Sequence, residues 1–167
     1  MANQDSIMIQ DARLIFRNFK GAEGMYNRAG DRNFAVLLDD PAVVKQLISD
    51  GWNVKHTKPR DDDAEQGDPY LQVSVNFQGR PPTVCMISSK GKEYLDDQTV
   101  ELLDYVDIKT ADLIINPYPW AVNGKTGIKA YLKSIFVTIE EDALDRKYAD
   151  IPEVGRVHAT VEEDIDD

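Results

Sequence analysis

Cysteine occurs once in this chain, at Cys85, and histidine twice, at His56 and His158. A single thiol excludes an internal disulfide and a cysteine-rich zinc site. Two distant histidines support neither a metal triad nor a Ser-His-Asp set. Cys85 lies between Val84 and Met86 and reads as a small buried hydrophobe. Long apolar runs are missing as well: none approaches the ~20 residues of a bilayer span. Met1 to Ile9 has neither the basic region nor the apolar stretch of a signal peptide. Gly21-Ala22-Glu23-Gly24 and Ser89-Lys90-Gly91-Lys92 lack P-loop spacing, and Asp61-Asp62-Asp63 lacks the glycine and distal glutamate of a calcium loop. These absences lead to the expectation of a soluble, cytoplasmic protein that is not an enzyme and needs no metal or cofactor.

Positive charge is also scarce, but unevenly so. The formal net charge is −11. From Glu140 onward there are 11 acidic and 3 basic side chains, so that segment alone carries −8. Five more acids lie in the run Asp61-Asp62-Asp63-Ala64-Glu65-Gln66-Gly67-Asp68, and without them residues 1–139 are at +2. A near-neutral body with a detached acidic end suits a binder of polyanions that carries its own polyanion mimic. The chain divides as a domain over 1–150 and an acidic tail over 151–167, read as disordered and ending in Glu162, Glu163, Asp164, Ile165, Asp166 and Asp167.

Strand signals outnumber helix signals. Ile7 to Phe19 reads as a long first strand, followed by a Gly/Asn-rich loop over 21–30 and a second strand at Phe34 to Leu38. Leu71, Val73, Val75 and Phe77 alternate with Gln72, Ser74 and Asn76, a period of two with the apolar set inward. Thr83 to Ile87 is expected to pair back against that strand, and Asp112–Asn116 and Ile128–Ile139 to form two more. Pro117 and Pro119 are expected to end the first of these. Asp40-Pro41 caps a helix with Val44, Leu47 and Ile48 inward and Gly51 at its end. A second helix covers 97–105 with Val100, Leu102 and Leu103 inward. Phe16, Phe34, Phe77 and Phe136 are expected in the core. The fold class is mainly β: an OB-fold-like five-stranded barrel with extra hairpins and one or two short helices, a β-sandwich being the alternative.

Aromatic and basic residues recur together in four places. Alternation through Ile128, Ala130 and Leu132 puts Lys129, Tyr131 and Lys133 on the opposite, solvent-facing side. A ring between two ammonium groups stacks a base while the cations meet phosphates, although β-propensity alone also explains a surface tyrosine. Tyr118 and Trp120, set among prolines near Lys125, form a second group. Arg13, Arg17, Phe19 and Lys20, followed by Tyr26, Arg28 and Arg32, form a third. Trp52, which suits core or surface alike, and Lys55 form the fourth. Together these are the candidate contacts for a single-stranded nucleic acid.

The motifs at Phe19-Lys20-Gly21, at Gly51-Trp52-Asn53-Val54-Lys55, and above all at Gly124-Lys125-Thr126-Gly127-Ile128-Lys129-Ala130-Tyr131-Leu132 are together similar to phage-encoded single-stranded DNA-binding proteins with an OB fold and an acidic C-terminal tail. The resemblance spans residues 6 to 140, plus the tail in character. It implies coating of single-stranded DNA during replication and recombination in the host cytoplasm. It also implies recruitment of replication proteins, such as polymerase or helicase–primase, through the tail. Several relatives end in an aromatic residue, whereas this chain ends in Asp167 with Ile165 the only apolar side chain nearby. A virion β-barrel protein, an acidic DNA mimic and a homodimer built on the aromatic rim stay open at this point.

Overall fold

A computed structural model describes residues 5–58, 67–152 and 154. The tail residues 155–167, and most of the acidic run after Lys58, lie outside the described residues. Among the described residues nine strands form one mixed sheet: β1 (Ile7–Ala12), β2 (Leu14–Asn18), β3 (Arg32–Leu37), β4 (Val54–His56), β5 (Pro69–Val75), β6 (Thr83–Ser88), β7 (Gly91–Leu95), β8 (Ile108–Val122) and β9 (Lys125–Ile139). Two α-helices, α1 (Pro41–Asp50) and α2 (Ala143–Lys147), and a 3₁₀ turn at Val100–Asp104 complete it. Among the described residues no helix is long and apolar enough to cross a membrane.

The backbone path runs β1-β8-β9-β5-β3-β2. Its two ends are consecutive in the chain, so β1 and β2 act as one bent strand shared by both ends of the sheet. No hydrogen-bonded ladder closes the ends into a barrel. Counting β1 and β2 as one gives the five-strand circuit of an OB-like fold, with β5 and β9 parallel. The bend has a local cause. Asp11 and Phe16 adopt left-handed φ of 53° and 50°, and the register shifts between Ile9 and Ala12 and again between Ile15 and Asn18. The expected single strand from Ile7 to Phe19 is therefore two, and Phe16 is turned out to solvent, edge-on to Tyr70 at 5.5 Å.

The core lies inside the curl. Phe34, Leu71, Val73, Leu113, Ile115, Ile135 and Val137 are fully or nearly fully buried. Phe19 joins them, stacked on Phe34 with centroids 4.9 Å apart. The period-two reading of β5 holds for Leu71, Val73 and Val75, while Phe77 and Phe136 are only half-buried. Helix α1 forms as its caps dictate: the Asp40 carboxylate accepts from Ala42 N at 2.9 Å, and Gly51 takes φ 99°. Its inward face is narrower than expected, for Leu47 is buried but Ile48 is exposed. The expected second helix is a single 3₁₀ turn that buries Val100 and Leu103 and leaves Leu102 out.

Two strand pairings differ from expectation. β6 does not pair with β5; it pairs in parallel with β9 and antiparallel with β7. Strand β8 does not stop at its prolines but pairs with β9 as far as Val122. Among the described residues β1 covers β8 only up to Ile115, so no described strand pairs with the outer edge of 116–122 and a missing N–H there costs no described ladder bond.

Burial separates two phenylalanines of the same short segment. Phe19→Ala is expected to destabilise the fold by about 3–5 kcal/mol, and Phe16→Ala by no more than about 1 kcal/mol, in urea unfolding. Equal losses would show that the β2 segment does not turn as described.

Candidate nucleic-acid interface

Three shallow cavities join into one groove across β5 and β9. The first, about 380 Å³, lies between the end of α1 and the β8–β9 hairpin and is lined by Asp50, Gly51, Trp120, Gly127 and Ile128. The second, about 260 Å³, shares Trp120 and Ile128 with it and adds Asn53, Lys55, Gln72, Ser74 and Lys129. The third, about 460 Å³, shares Gln72, Ser74 and Lys129 and extends to Tyr26, Arg32, Asn76 and Tyr131. Strand alternation produces this surface. Burying Leu71, Val73, Ile128 and Ala130 inward leaves Gln72, Ser74, Lys129 and Tyr131 outward.

The rings are positioned by neighbours. Tyr118 meets Tyr131 edge-on at 5.9 Å, and Lys129 Nζ lies 5.1 Å from the Tyr131 centroid. Trp120 pairs across the hairpin with Gly127 and lies over it. A Cβ on Gly127 would come within 2.7 Å of the indole, so only glycine admits this seat. Lys55 Nζ donates to Gln72 Oε1 at 3.0 Å along the groove floor. At the far end the loop over 21–31 is held by Asn27, whose Nδ2 donates to Ala22 O, Arg28 O and Asp31 O. That loop holds Met25 and Tyr26 almost wholly in solvent.

Not every expected contact residue reaches the groove. Phe19 and Trp52 are core residues, Trp52 being 4% exposed with its backbone bridged to Ile128. Both pack inside the core, Phe19 against Phe34 and Trp52 beside Ile128 of β9, and present no ring to the groove. Arg17 Nη1 donates to Leu103 O and Val106 O, both at 2.7 Å, which ties it to the 3₁₀ turn. Arg32 lines the groove, but its guanidinium donates to Phe19 O and Asp97 O and lies over Phe77. Arg13 lies in separate cavities, one beside α1 and one beside Lys109. Lys20 and Arg28 are exposed at the loop, the Lys20 N–H bonding to Asp104. Lys125 is exposed at the hairpin tip. Ile114 pairs with Ser134 and Ile115 with Leu132, so the exposed Lys133 is the extra residue of a bulge. Glu162 to Asp167 lie outside the described residues. Sequence reading left out Asp50, Asn53, Gln72, Ser74 and Asn76; the last three were legible as outward positions of β5 but carry no charge or ring to single them out.

Two carboxyl groups are held below their ordinary range, Asp96 chiefly by the Gln98 N–H and Glu141 chiefly by the Ser89 hydroxyl, and neither lines the groove.

The phage ssDNA-binding domain family matches the chain over residues 1–167. The chain belongs to that family. No curated protein matches this member of it. Among solved structures, the single-stranded DNA-binding protein of bacteriophage Enc34 in complex with ssDNA is similar to it. The two align at 13% identity and TM-score 0.53, over 82% of this chain and 88% of that one. A C-terminally truncated form of the same Enc34 protein aligns at 13% identity and TM-score 0.52, over 82% and 87%. At such identity the likeness establishes the shared fold.

The Gly127 seat makes a prediction for this family member. Gly127→Ala is expected to push the Trp120 indole off β9 and raise the acrylamide quenching of tryptophan fluorescence, since Trp52 is buried. Unchanged quenching would mean that the indole does not depend on that glycine.

Proposed function

We propose that the protein binds single-stranded DNA along the groove over β5 and β9, with little sequence preference, and protects it during phage replication and recombination. The observation that carries this reading is the line of Trp120, Tyr131 and Tyr26 interleaved with Lys55 and Lys129 on one concave surface, in a chain of the phage ssDNA-binding domain family. Rings without hydrogen-bond specificity stack any base, and lysines neutralise phosphates without reading sequence. Tyr118, Lys125 and Lys133 extend the cationic and aromatic surface along the hairpin. Rings set along a groove suit a splayed single strand, whose bases are free, more than a duplex, whose bases are paired.

The acidic tail takes two roles in this proposal. It competes with DNA for the lysines of the groove, and it offers replication proteins such as polymerase or helicase–primase a docking point. Support for the competition comes from the concentration of charge, −8 from Glu140 onward against a near-neutral body.

Fluorescence anisotropy with a labelled oligo-dT of ~30 nucleotides, against the matching duplex, tests the reading. Tight, salt-sensitive binding of the single strand alone is expected; no binding at low salt, even without the tail, would overturn it. Trp120→Ala and Tyr131→Ala are each expected to weaken binding by about 1–3 kcal/mol. Lys129→Ala is expected to flatten the slope of log affinity against log salt by about 0.7. Deleting residues 155–167 is expected to tighten binding at low salt, and equal affinities with and without them would remove the competition.

A further inference from the structure

One groove residue is out of character for a surface that takes a polyanion. Asp50 is the buried charged side chain among the described residues, 8% exposed, and it lines the cavity between α1 and the hairpin. Gln46 Nε2 donates to Asp50 Oδ1 at 3.0 Å. No hydrogen bond from a described residue reaches Oδ2, and no described side-chain oxygen is both fully buried and unpartnered, so Oδ2 is not fully shut off from the cavity. Burying a carboxylate with a single protein donor is costly, and its place in the cavity adjoining the one lined by Lys55 and Lys129 opposes phosphate binding at that end. Trp120 lines both this cavity and the next. A base stacked on that indole would place an edge toward Asp50, because its phosphate is repelled.

We propose that Asp50 is a base-selective residue of the groove: its free oxygen accepts a hydrogen bond from the exocyclic amino group of a base stacked on Trp120. Binding there favours cytosine over thymine. The inference rests on the single-stranded DNA reading and deepens it. Cytosine presents its N4 amino group as a donor, whereas thymine presents carbonyl oxygens on either side of its ring N–H, which a carboxylate repels. The two pyrimidines match in size, so stacking does not separate them. Gly51 and Gly127 line the same cavity without side chains, and Gly51 takes a left-handed φ of 99° at the end of α1.

Competition anisotropy with unlabelled oligo-dC and oligo-dT of equal length tests it on the full chain. The wild type is expected to bind oligo-dC about fivefold more tightly, the scale of one amino–carboxylate contact. In Asp50→Ala, which removes the acceptor, the ratio is expected to fall to about one. Oligo-dT binding is expected to tighten in Asp50→Ala, a gain that a merely structural aspartate would not produce. An oligomer of N4,N4-dimethyl-deoxycytidine, which has no amino hydrogen, is expected to bind the wild type no better than oligo-dT, and this arm needs no folded variant. Equal binding of oligo-dC and oligo-dT by the wild type, or a dC preference that persists in Asp50→Ala, overturns the inference alone. Failure to bind either oligomer overturns the DNA-binding reading and this inference with it.

Discussion

A short parallel ladder, Val73↔Ala130 and Ser74↔Tyr131 among the described residues, links β1-β8-β9 to β5-β3-β2, with the Trp52↔Ile128 bridge beside it. Parallel pairing brings residues far apart in sequence side by side, and its register decides which faces meet. With Val73 and Ala130 inward, Ser74 and Tyr131 are neighbours on the outside, and Lys129 and Gln72 fall beside them. A slip of one residue would bury Tyr131 and Lys129 and expose the apolar set. The groove and the core are therefore two faces of one register.

The remaining devices hold that surface in shape. Arg17, Arg32 and Asp104 direct their charge to backbone groups around Phe19 and the 3₁₀ turn, which fixes the bent first strand against the rest of the fold. Gly127 gives up a side chain so that Trp120 can lie flat over β9. Trp52, buried in the core, bridges to Ile128 of the same strand. Positive charge in this chain thus has two uses. Half-buried arginines brace the backbone, while exposed lysines line the open groove. Asp50 departs from that division, and a departure from local rules in the proposed DNA groove is where specificity is to be sought.

Much of this was legible in the sequence. Period two in β5 and β9 assigned Leu71, Val73, Ile128 and Ala130 to the core and Lys129 and Tyr131 to the surface, because a strand with one buried face permits no other division. Asp40, Pro41 and Gly51 marked both ends of α1. Trp120 and Lys55 were picked out by their neighbours and do lie in the groove. Local patterns misled where tertiary contacts outrank local chemistry. Phe19 and Trp52 resembled ligand-stacking rings by company, yet the curl of the sheet needed their volume inside. Phe16 looked like core until two bulges turned it out. The prolines of β8 seemed to end a strand, but an edge that no described strand pairs with asks nothing of their missing N–H.

The sequence by itself determined the mainly β class, the faces of the regular strands and the charge division between body and end, since each follows from local periodicity or from a count. Only the tertiary structure decided which aromatics serve the core, which arginines are bound to backbone, and that Trp120, Lys55, Tyr131 and Asp50 border one groove. Those facts depend on strand pairings across the chain, parallel β5 with β9 above all, and no local pattern encodes the partner or register of a strand so distant.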